Sequence, residues 1–285
     1  MPKVAIVTDS TANIPGELLN DLAIYSIPLH VIWGPDSFRD GVDILPKEVY
    51  TRLEEGTKVM PTTSQPTPAA FSEVYRGLLD QGYDILSIHI SSSLSGTVDS
   101  ALKARQNFPG ARIEVIDSRT TTMAMGFLAL AAARAAAQGA TIQECQKLVE
   151  DNIQHTGVLF VVKTLEFLRR GGRIGGASAF LGTAFDLKPI LEIRRGRIEA
   201  IDRVRTMSKA IDKLMDLFSD RVGQHRPLHI AALHANNLGD ATQILERAIK
   251  LFSPVEISET VLSEPSPVIG IHAGPGVVGL AFMAG

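Results

Sequence analysis

One cysteine, Cys145, occurs among the 285 residues. An internal disulfide is thereby excluded, which suits a reducing cytosol. Cys145 falls inside a helical pattern, which speaks against a metal cluster or a cysteine nucleophile. Basic charge is not in excess: 28 Lys and Arg stand against 31 Asp and Glu, a net charge of −3. That balance favours neither a nucleic-acid backbone nor an anionic membrane surface as partner. Long hydrophobic runs are missing too. The opening MPKVAIVTDS has only a short apolar stretch before Asp9, too little for a secretory signal, so a cytoplasmic location is expected. The most apolar segment, MAMGFLALAAARAAA (123–137), meets Arg134 too early to span a bilayer. It reads as a helix buried on nearly every side. No G-x-x-x-x-G-K-[ST], no G-x-G-x-x-G directly following the first strand, no H-E-x-x-H and no G-x-S-x-G is found. No metal, no cofactor and no catalytic residue is expected on this chain.

What is present is an alternation of strand and helix signals. With 45% hydrophobic residues, the chain can build one large core or two modest ones. VAIV (4–7), IYSIPLHVIW (24–33), DILSIHI (84–90), RIEVID (112–117) and GVLFVV (157–162) read as extended. Helical patterns lie between them, which predicts a doubly wound, mainly parallel sheet. After about residue 163 the pattern changes. KPILEIRRGRIEAIDRVR (188–205) reads as a hairpin turning near Arg195-Gly196, and the chain ends in three extended runs. These suit a mixed sheet. The expected fold is therefore α/β in two domains, 1–163 and 164–285, with a ligand cleft between them.

Hydroxyl groups concentrate at strand ends. HISSSLSGT (89–97) follows one strand, and TDSTAN (8–13) follows another. PTTSQPTPAAF (61–71) precedes a helix that Thr67 and Pro68 would open. Each segment has two readings, a helix cap or a ligand cradle. Gly96 would let the backbone turn or approach a ligand closely. Arg205, before a helix, and His272, before a Gly-Pro-Gly turn, offer charged complements. Asp9 and Asp117 also lie at strand ends, where caps and turns are the commoner use. Residues alone thus reach an anion-binding α/β protein. An enzyme acting on a small anionic metabolite, with His272 as general acid or base and Arg205 as clamp, stays open.

The ordered set VTDSTANIP, PTTSQPTP, SSSLSGT, VIDSRT, LEFLRRGGRI, KPIL, RVRTMSKA and HAGPGVVG resembles the DegV family, which includes the fatty-acid-binding subunits of bacterial fatty acid kinase. The match runs from Val7 to Gly279. One departure is Ser93, where many members carry glycine. The resemblance implies two α/β domains with a long-chain fatty acid such as palmitate buried between them. It assigns the carboxylate to Thr63 and Ser95, with Ser64, Gly96, Arg205 and His272 nearby. It also implies a separate ATP-dependent kinase subunit that makes the acyl phosphate for phospholipid synthesis. The basic Arg169, Arg170 and Arg173 are candidates for the surface that meets this kinase. The alanine-rich helix and residues 177–187 are candidates for the tunnel lining.

Overall fold

The computed structural model describes residues 3–57, 59–182 and 187–285. In chain order the strands are β1 (Val4–Asp9), β2 (Ile24–Ile27), β3 (His30–Trp33), β4 (Asp36–Arg39), β5 (Thr62–Ser64), β6 (Asp84–His89) and β7 (Ile113–Asp117). They continue with β8 (Thr156–Val161), β9 (Lys188–Arg194), β10 (Arg197–Val204), β11 (Leu228–His234), β12 (Ile257–Ser263) and β13 (Val278–Ala284). The helices are α1 (Gly16–Asp21), α2 (Pro46–Glu54), α3 (Pro68–Asp80), α4 (Thr97–Arg105) and α5 (Thr122–Ala137). After them come α6 (Ile142–Ile153), α7 (Glu166–Arg170), α8 (Met207–Val222), α9 (Leu238–Lys250) and α10 (Pro267–Ala273).

The architecture is mixed α/β, as expected. A parallel sheet runs β2-β1-β6-β7. Its strand β1, VAIVTD, is buried at all six positions, the continuous pattern of a strand covered on both faces. A mixed sheet runs β10-β9-β8-β13-β11-β12, antiparallel except for the β11–β12 pair. A small antiparallel sheet, β4-β3-β5, completes the set.

Helix α5 lies between the two large sheets and packs on β1 as well as on β13 and β8. Met123 to Leu130 are buried on every side, as its unbroken apolar sequence predicts. Small residues allow the close approach: a Cβ on Gly126 would stand 2.8 Å from the carbonyl oxygen of Ala12. One core cluster therefore runs from Ile6 and Leu86 through Phe127 and Leu128 to Val158 and Ala281.

Three sequence expectations are corrected. IYSIPLHVIW is not one run: Pro28 lacks a ladder donor, and the chain leaves the parallel sheet there to enter the small one as β3. GVLFVV falls within 1–163, yet β8 pairs with β9 and β13 in the mixed sheet. The change of sheet thus falls before residue 156, ahead of 163. The last segment holds two strands and a helix, not three extended runs. α10 has Pro267 in its first turn and ends at Gly274, with φ of 83°. That is the Pro-start, Gly-stop pattern of a helix.

α10 is short and is held by its neighbours. The buried Asp40 carboxylate accepts from the Val268 N–H (3.0 Å) and from the Ser10 hydroxyl (2.6 Å). Tyr50 donates to the Pro265 carbonyl (2.6 Å). The ring of Tyr50 also lies where a Cβ on Gly270 would be, 2.1 Å away.

Candidate functional site

Thr63 sits in the middle of β5, opposite Val31. The segment flanked by Pro61 and Pro66 is thus a short strand, and its register fixes where the hydroxyl lies. Thr67 caps α3 by accepting from the Ala70 N–H. His272 belongs to the last turn of α10, ahead of the Gly-Pro-Gly turn. Its Nε2 lies 2.8 Å from the Thr63 hydroxyl. Its Nδ1 is buried without a partner among the described residues, beside Gly171, where a Cβ would come within 2.1 Å of it. Burial, and then the Arg173 guanidinium, push the His272 pKa down to about 4. The ring is therefore neutral near pH 7. A neutral ring donating from Nε2 leaves the Thr63 hydroxyl proton free for an anion.

Arg173, a candidate for the partner surface, lines the cavity. It is half-buried at the cavity wall. Its Nε donates to Leu94 O (3.0 Å) and its Nη1 to Gly171 O (2.7 Å). Arg169 and Arg170 remain exposed and share Glu166. Arg205 is exposed between β10 and α8 and is not among the residues lining the cavity.

The serine-rich segment is a folded loop. The Ser95 N–H donates to Ser91 O (3.0 Å), and the Ser95 hydroxyl lies 2.9 Å from that of Thr97. Ser95 does not cap α4; the N-cap is Gly96, without a side-chain bond. A Cβ on Gly96 would stand 2.9 Å from Gln65 Nε2, so the loop and the β5 segment meet at this glycine. The Ser91 hydroxyl donates to Gly196 O (2.8 Å), which ties the loop to the β9–β10 hairpin. Ser93 is exposed.

These groups surround one cavity. Thr63, Ser64, Gln65, Ser95, Arg173 and His272 supply polar lining. Apolar walls come from Val158 and Phe160 on β8, Ile193 and Ile198 on the hairpin, Leu233 on β11, and Val268 and Ile269 on α10. The alanine-rich helix meets the cavity only at its start, at Thr121 and Thr122. None of the described residues in 177–187 lines it, and 183–186 lie outside the described residues. Gln65, Thr121 and Thr122 were not foreseen as lining. An anion with a long apolar tail matches this combination of donors, cation and apolar wall.

A second polar constellation lies elsewhere. The Ser87 hydroxyl is 2.6 Å from His89 Nε2, and His89 Nδ1 is 3.0 Å from an Asp9 carboxylate oxygen. Tyr75 donates to Ser87 (2.8 Å). The arrangement has the connectivity of a nucleophile triad. Ser87, His89 and Asp9 are fully buried, however, and none of them lines the cavity. Asp9 also accepts from the Ile90 N–H (3.0 Å). The network joins the ends of β1 and β6 and fixes the start of the serine loop. Asp117 accepts from Ser92 and from the Arg119 N–H, so both strand-end aspartates are occupied by local bonds.

Comparison with known proteins identifies the family. The family model described as "Uncharacterised protein, DegV family" matches residues 3–285. A DegV domain-containing protein of Streptomyces coelicolor is 39% identical over 97% of each chain. A solved structure from Thermus thermophilus, described as fatty acid binding of a DegV family protein, superposes with a TM-score of 0.92 at 36% identity, covering 99% of each chain. DegV of Bacillus subtilis, described as a fatty acid binding protein, gives 0.88 at 32% identity over the full length of both. With the family model spanning both large sheets and every residue of the cavity, the chain belongs to the DegV family.

Proposed function

We propose that this protein binds a long-chain fatty acid, with its carboxylate at Thr63 and Ser95 and its tail in the apolar part of the cavity. The observation that carries the reading is the meeting of Thr63, His272, Arg173 and the Ser95 loop around a cavity whose remaining walls are largely apolar. A buried carboxylate costs several kcal/mol unless donors meet it. Thr63 and Ser95 can donate, with the Thr63 oxygen accepting from a neutral His272, and Arg173 supplies compensating charge. A tail of about fifteen methylenes, at about 0.8 kcal/mol each, yields on the order of 12 kcal/mol of gross burial energy. Part of this is offset by lost ligand freedom. The tail thus sets the affinity, and the polar cluster sets register and head-group choice.

The chain acts as a carrier. It presents the carboxylate to a separate ATP-dependent kinase subunit, and the acyl phosphate feeds phospholipid synthesis. Arg169, Arg170 and Arg205 are exposed and able to steer an acidic partner. Two experiments test this. Denaturing solvent extraction followed by mass spectrometry should release fatty acid in stoichiometric amount. An empty extract, together with no binding of added palmitate, refutes the reading. Incubation with palmitate, magnesium and ATP should yield acyl phosphate only when the kinase is added. Turnover that survives repurification without the kinase overturns the carrier role.

A further inference from the structure

Resting on the fatty-acid reading, we propose that the cavity has a second polar point, at Thr122, and that it selects an acyl chain carrying a hydroxyl group. Thr122 opens α5 and lines the cavity. It is 3% exposed, and its hydroxyl has no hydrogen-bond partner among the described residues. The serine loop and β5 do not use it, so it is independent of the Thr63–His272 pair.

Two features of the backbone concentrate on the same residue. Thr122 has φ of 53°, a left-handed conformation that β-branched residues avoid. Its neighbour Thr121 is the N-cap of this 16-residue helix, yet no side chain caps it. The Thr121 hydroxyl is aimed instead at Thr11 O (3.4 Å). The first-turn N–H groups of a helix have no partners within the helix and favour an oxygen atom. The helix start thus brings an unused hydroxyl to the cavity wall, apart from the Thr63–His272 pair.

A plain methylene chain passing Thr122 leaves the hydroxyl unpaired, and a buried unpaired hydroxyl is costly. A hydroxyl on the ligand can both accept from and donate to Thr122. The chemical class that fits is therefore a long-chain hydroxy acid, with the carboxylate at Thr63 and Ser95 and the second oxygen at the start of α5.

The test measures Kd for unsubstituted palmitate and for a series of monohydroxy palmitates with the hydroxyl stepped along the chain. Wild type, Thr122→Val and Thr122→Ser are compared. One position in the series should bind wild type roughly tenfold more tightly than palmitate, equivalent to about 1.4 kcal/mol. Thr122→Ser should keep that preference. Thr122→Val should lose it, so that the ratio of the palmitate Kd to the hydroxy-acid Kd falls to about one. If Thr122→Val does not fold, Thr122→Ala takes its place in the comparison. Palmitate binding as tightly as every hydroxy acid, or a preference that persists without the hydroxyl, overturns the proposal and leaves the fatty-acid reading standing. Failure of all the acids, palmitate included, brings down both.

Discussion

His272 should make stability depend on pH in a defined window and direction. Its pKa is about 4 in the folded protein, against 6.5 when unperturbed, because burial and then Arg173 disfavour the charged ring. Between these values the unfolded chain holds a proton on this ring and the native state does not. Stability therefore rises with pH across the window. The contribution is complete above about 6.5 and is lost as pH falls toward 4. At about 1.4 kcal/mol per pH unit, the span amounts to about 3 kcal/mol. Asp40 acts with the opposite sign, since burial raises its pKa and protonation relieves a desolvated charge. The effect of His272 must therefore be read as a difference. Urea unfolding of wild type and His272→Gln, at about pH 7 and about pH 4.5, isolates it. On acidification wild type should lose about 2–3 kcal/mol more than the variant. NMR of the ring should place its titration well below that of an exposed histidine. Added palmitate should raise the titration point, because a carboxylate at Thr63 and Ser95 stabilises the imidazolium. Equal losses in the two proteins, or a ring that titrates near 6.5, would refute the reasoning.

Thr63→Ala and Ser95→Ala each remove one donor and should weaken palmitate binding by about 1–3 kcal/mol, roughly five- to hundredfold in Kd. Calorimetry on the double variant should show coupling between the two positions, and unchanged affinity in both single variants would remove the carboxylate from this site. Asp40→Ala strands the Val268 N–H and the Ser10 hydroxyl, so urea unfolding should show a loss of at least about 1–3 kcal/mol. Asp40→Asn should restore part of it, and an alanine variant as stable as wild type would show that the clamp on α10 is idle. Gly270→Ala drives a methyl group into the Tyr50 ring and should cost about 1–3 kcal/mol. Tyr50→Leu in the same chain should recover some of that cost, and strictly additive losses would contradict the contact.

Local signals made much of this molecule legible before its structure. β1 and β6 announce themselves as short apolar runs ending in hydroxyls. α5 is evident because no face of it is polar, and the β9–β10 turn is evident in Arg195-Gly196, where φ is 51° and 83°. Other features depend on what lies across the fold. β5 is three residues long and is a strand only because β3 pairs with it, so its threonines read as a turn between prolines. α10 carries Val268, Ile269 and Ile271, whose β-branched side chains mimic a strand. Asp40, Tyr50 and Gly270 supply what local propensity does not. Arg173 and Arg205 show the same limit from the other side. Both lie in basic stretches near turns, and their neighbours in sequence do not distinguish them. The difference arises at Gly171 and Leu94, whose carbonyl oxygens hold the Arg173 guanidinium in the cavity wall, while Arg205 is left in solvent ahead of α8. A cation is placed in the cavity wall by backbone acceptors from two separate loops, and so its position is readable only when those loops are brought together.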